Sequence, residues 1–193
     1  MKYLALLIQV LLLQSSFGSF RSFESLRDRT TKNPVISKRL FQSTVENMGD
    51  EFQYLAKIQN EQLLTYAGWN DPTADQAMAR RWDTAQVLIF RGMAHRTEIN
   101  RDALALIVCH ELGHLYGGTP LKEMGNYISA EGQADYFATN ICLKRALSLL
   151  DPDNVEQRSL KVIEAVGAFL ANNWGHEHPS ESTPDASSVD QTL

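Results

Sequence analysis

Residues 108 to 118 read VCHELGHLYGG, and three of them have the types and spacing for metal-assisted hydrolysis. On an α-helix, positions i and i+4 lie one above the other on the same face. His110 and His114 therefore point the same way, and two imidazoles one turn apart can grip a single ion. Glu111 stands on the flank of that face, where its carboxylate reaches a water on the ion without being a ligand. Two nitrogens on zinc, with a carboxylate set to take the proton of the water, is the H-E-x-x-H arrangement. By composition alone the pattern arises by accident in roughly one such chain in a hundred. The residues before it weigh more. ALALIVC, 103–109, is apolar on every side, which marks a helix buried all round. A helix end emerging into solvent is the bland alternative. A buried helix that places His, Glu and His in the interior needs something to offset their desolvation, and a metal ion does so.

A catalytic zinc takes three protein ligands and keeps one position open. The third is sought in AEGQADYFA, where Glu131 falls in the first turn of a second helix and Asp135 follows one turn later. Two acids at i and i+4 repel on an isolated helix, so a cation beside them explains the pairing. Glu131 answering the helix dipole, with Asp135 merely solvated, is the structural alternative. Ala130, Ala134 and Ala138 beside Gly132 make that face small enough to pack closely, unlike a solvated face. Glu131 is thus expected as the third ligand. Asp135 is expected behind the ligands, accepting a proton from an imidazole and fixing its tautomer.

With HELGH followed by E-G-Q-A-D, the sequence resembles the gluzincin peptidases, and within them the CAAX prenyl protease and HtpX-like group, whose second motif reads E-x-x-x-D. The resemblance covers roughly 95 to 180 and is carried by the two motifs. It implies one zinc per chain on His110, His114 and Glu131, Glu111 as general base, and Asp135 behind the ligands. The implied fold is α+β and zincin-like: a small mixed sheet whose edge strand lies beside a buried active-site helix, and a second helix carrying a ligand. AQVLIFRGM, 85–93, would be that edge strand, pairing with extended substrate. The membrane spans of those relatives are absent. Their His-Pro after the third helix matches His178-Pro179, but no Arg follows it here. The group steadying the oxyanion is left among His178, His176, Tyr127 and His95, with His178 placed first.

The elements that must position these groups follow from periodicity. Ser37 to Asn60 spaces Leu40, Phe41, Val45, Met48, Phe52, Leu55 and Ile58 as an amphipathic helix, although Gly49 weakens it. EQLLTYAGW reads as a strand, NDPTAD as a turn, and 85–93 as the best strand. Asn100 offers an N-cap and Asp102 a first-turn acid for the helix of the motif, which Gly117-Gly118 and Pro120 end. Ser129 offers the second N-cap, for a helix running to Asp151-Pro152. A third helix is expected from Val155 to Asn172.

The bulk properties set the frame. The chain has 193 residues, 44% hydrophobic and 21% charged, with a net charge of −5 and no basic block, which argues against a nucleic-acid partner. Met1-Lys2, an apolar run to Leu13 and a small-residue QSSFGS have the layout of a signal peptide over 1–18. That run is shorter than the ~20 residues a membrane span needs, so no stable membrane span is expected. Export to a periplasm or the extracellular space follows. Residues 19–34 read as a polar arm, 35–174 as the metallopeptidase domain, and 175–193 as a polar tail or the start of a segment cut short. Cys109 and Cys142 either pair, as export permits, or are buried thiols. The function expected is a zinc metalloendopeptidase acting on peptides or unfolded proteins. A zinc-stabilised binding module without turnover and a hydrolase of non-peptide amides are the alternatives.

Overall fold

Ser37 starts the first described helix by accepting the Leu40 N–H on its hydroxyl at 3.4 Å, which satisfies one of the orphan donors of a helix start. The computed structural model describes residues 33–70, 76–122 and 127–174, with side chains as far as 166. The expected leader, most of the arm, the turn after Asn70, and the tail with His176 and His178 lie outside the described residues. Helix α1 (Lys38–Glu51) buries Phe41, Val45 and Met48 along one face. Gly49 is tolerated because a Cβ there would collide with the Thr65 side chain of the neighbouring strand. The helix expected to reach Asn60 breaks at Phe52, and a short α2 (Gln53–Ile58) continues it. Asn60, at φ 56°, then turns the chain, a left-handed conformation that asparagine tolerates better than most.

The sheet has three strands, β1 (Leu63–Gly68), β2 (Ala77–Arg81) and β3 (Ala85–Phe90), in the order β1-β3-β2. β1 runs parallel to β3 and β2 antiparallel to it, so the sheet is mixed and the chain is α+β. Two expectations are corrected here. The strand expected at 85–93 ends at Phe90, where a 3₁₀ turn (Arg91–His95) begins, and it is central rather than an edge. Its composition gives the reason: Ala85, Val87 and Ile89 are fully buried and Leu88 and Phe90 half-buried, so it is apolar on both faces and draws a partner on each side. The edge beside the buried helix is β2, whose sequence AMARR has little strand propensity and is held extended by pairing with β3.

Helix α3 (Arg101–Tyr116) is capped by Asn100, whose side chain accepts the Ala103 N–H at 2.9 Å. It is buried without interruption from Ala103 to Leu115, as its all-apolar first half requires. It lies against β2, α1 and every helix that follows. Asp102, at its start, is taken by Arg158 through two hydrogen bonds of 2.6 and 2.9 Å. The next helix does not begin as expected. α4 (Glu131–Phe137) starts after Ala130 and has no side-chain cap. Ser129 turns instead to α3, its hydroxyl donating to the Gly118 carbonyl at 2.7 Å and its N–H to the His114 carbonyl at 2.8 Å. The rod expected to reach Asp151 is interrupted by a π-helical segment (Ala138–Cys142) before α5 (Leu143–Leu150). Cys142 ends that segment in a disulfide with Cys109 of α3, Cα–Cα 5.6 Å, which decides the pairing that spacing left open. α6 (Val155–Trp174) closes the core with Val162 and Val166. No helix among the described residues is long and apolar enough to cross a membrane.

Candidate metal centre

One glycine sets how near the two motif-bearing helices come. Gly113, between the two histidines on α3, lies so near α4 that a Cβ on it would sit 2.5 Å from the Ala134 carbonyl oxygen. Any larger residue would force the helices apart, since a packed backbone has nowhere to move. This approach brings Glu131 onto the histidines. Its Oε2 lies 3.2 Å from His110 Nε2 and 3.3 Å from His114 Nε2, and one donor atom from each of the three residues falls within 4.8 Å of the others. The imidazoles stand edge to face, centroids 4.6 Å apart.

The outer nitrogens decide what the inner ones are. His114 Nδ1 lies 2.9 Å from the Ser129 carbonyl. A carbonyl only accepts, so Nδ1 carries the proton. His110 Nδ1 lies 2.9 Å from Asp135 Oδ1 and donates to that carboxylate. In the neutral imidazoles both Nε2 atoms are then lone pairs, aimed at a carboxylate oxygen. Three acceptors cannot hold one another without a proton or a cation between them. Without an ion, protons fill the gap: burial works to lower the His110 imidazole, but the Asp135 and Glu131 carboxylates outweigh it and push it up to about 10. Burial also opposes ionisation of Glu131, yet hydrogen bonds from His110, His114 and Lys122 hold its carboxyl far below the usual range. A tetrahedral ion with bonds of about 2.0–2.1 Å sets neighbouring donors roughly 3.3–3.4 Å apart. The separations of Glu131 Oε2 from both imidazoles fit.

Glu111 is 1% exposed, and its Oε1 has no hydrogen-bond partner among the described residues. Burial pushes its carboxyl up, against the pull of the two histidines. A buried carboxylate oxygen left unsatisfied costs about 1–3 kcal/mol or more, so it demands a role or a missing partner. Its neighbours on the helix place it beside the ion site, where a water would satisfy it.

The structure thus brings together His110, His114, Glu131, Asp135 and Glu111. Tyr127 is exposed at φ 50°, its carbonyl accepting from Arg81 Nη1 at 3.2 Å. His95 accepts from Arg91 Nε at 3.1 Å on the 3₁₀ turn. His176 and His178 fall outside the described residues. Sequence reasoning missed Gly113, Ser129 as the partner of His114, and Lys122, whose ammonium lies 2.6 Å from Glu131 Oε1. It also missed Arg81 of β2, whose Nη2 donates to the Leu115 carbonyl at the end of α3 at 2.8 Å and pairs with Glu61 at 2.9 Å. Only Gly113 carried a signal, as a small residue facing the alanines of the second motif.

Among comparisons with known proteins, the family model for Peptidase U49 matches residues 20–186. No curated protein and no solved structure matches the chain.

Proposed function

The chain belongs to the Peptidase U49 family, and from that premise we propose that it is a zinc-dependent endopeptidase of the gluzincin kind. One observation carries the reading: three inward acceptor atoms, on His110, His114 and Glu131, converge while the outer nitrogens of both histidines are already committed. When bound, the ion would polarise the scissile carbonyl and lower the pKa of water. The protein's own groups do the rest. Asp135 and the Ser129 carbonyl keep both imidazoles in the tautomer that presents Nε2. Glu111, buried and raised in pKa, takes the proton of the attacking water and passes it to the leaving amine. The outer edge of β2, beside α3, is the strand that an extended peptide would join by main-chain hydrogen bonds. Arg81 at its end ties that edge to α3.

Export to a periplasm or the extracellular space is part of the proposal, supported by the leader-like 1–18 and by the Cys109–Cys142 disulfide, a bond that persists in oxidising compartments. The test is hydrolysis of an unfolded protein by the zinc-loaded chain beside its Glu111→Gln variant. Activity in the first alone supports the reading. Equal activity in both sinks the mechanism.

A further inference from the structure

Glu131 is the one candidate ligand that the core does not hold. Its side chain is 57% exposed, whereas those of His110 and His114 are 5% exposed. A carboxylate so placed can swing away, or turn both oxygens onto an ion and occupy the position that a water and a substrate carbonyl need. The two oxygens are not equivalent here. Oε2 faces the imidazoles, while Oε1 meets the Lys122 ammonium at 2.6 Å.

Lys122 is itself held in place by a short ladder. Leu121 bridges to Ser129, the Lys122 N–H donates to the Ile128 carbonyl at 2.8 Å, and the Ala130 N–H donates to the Pro120 carbonyl at 2.8 Å. This is the same ladder whose Ser129 carbonyl orients His114. Through it, one antiparallel ladder meets the buried imidazole on one side and the exposed carboxylate on the other. The charges also balance: a divalent ion and the Lys122 ammonium together offset Glu131, Glu111 and Asp135.

We infer that Lys122 is a positioning residue that holds Glu131 to a single inward oxygen and so keeps the fourth coordination position open. The inference rests on the metal-centre reading above. As an ion pair between half-exposed groups it adds little to stability, and its effect is on ligand geometry.

The experiment uses cobalt(II) on the full chain, because four- and five-coordinate cobalt differ strongly in visible absorption. Lys122→Met should keep the parent Tm, still bind cobalt, and lose intensity toward the five-coordinate spectrum. Its kcat should fall with KM unchanged. Lys122→Arg, which restores the charge, should recover most of the parent spectrum and kcat. A parent-like spectrum in Lys122→Met, or a loss confined to KM, would overturn the assignment. His110→Ala separates the two levels: cobalt bound equally by this variant and the parent refutes the metal centre and the inference with it. Loss in His110→Ala beside no change in Lys122→Met refutes the role of Lys122 alone.

Discussion

The two halves of the candidate metal centre are built by opposite means. On α3, His110 and His114 are each 4% exposed within a helix buried from Ala103 to Leu115. On the facing side, Glu131 and Asp135 have side chains 57% and 56% exposed, and Lys122 is 41% exposed. The first half is fixed by apolar packing that exists whether or not an ion is bound. The second is held by hydrogen bonds, one salt bridge, and the close contact at Gly113. A rigid half fixes the distances, and a polar half lets a carboxylate and a substrate approach.

The buried half is most sensitive at Glu111, its only acid. Glu111→Gln should keep its metal and lose turnover by roughly 10²- to 10⁴-fold, the span of acid–base contributions. Metal content and hydrolysis measured on one preparation check it, and retained turnover would detach Glu111 from the chemistry. The next largest effect joins the halves. Cys109 and Cys142 are separated by 33 positions, so replacing both with alanine should cost about 3–4 kcal/mol by loop-closure entropy, read from denaturant midpoints.

Asp135→Asn probes the exposed half alone and should weaken zinc binding roughly 10- to 100-fold, as measured by chelator competition. A separate probe is the pH dependence of the metal-free protein. His110 holds its proton up to about 10 when folded but releases it near 6.5 when unfolded. Its contribution is therefore full below 6.5 and fades as pH rises toward 10. Tm of the metal-free chain should fall across that window, and less so in Asp135→Asn. A flat profile would mean that His110 is neutral in the folded protein.

The buried half was legible in the sequence because it depends on local rules. An apolar run, a cap at Asn100 and i, i+4 spacing are enough to orient His110, Glu111 and His114. Glu131 and Asp135 were legible for the same reason, on their own helix. What was not legible depends on chain segments far apart. AMARR is a strand only because β3 pairs with it, and that pairing moved the edge away from 85–90. Ser129 has the chemistry of an N-cap, but the loop closing on Gly118 and His114 claims its hydroxyl and N–H first. Nothing in the spacing of Lys122 marks it, because its place comes from the Leu121–Ser129 bridge. The cysteines were ambiguous until the two helices were set side by side.

The contact between Gly113 and Ala134 has a consequence for ion choice. Because the helix backbones touch there, main chain sets how near α4 comes to the imidazoles, and the exposed Glu131 side chain spans the remaining distance. The disulfide ties the segment that follows α4 to α3. Under the proposed metal reading, the resulting Glu131–imidazole separations of 3.2 and 3.3 Å would suit an ion with bonds near 2.0–2.1 Å.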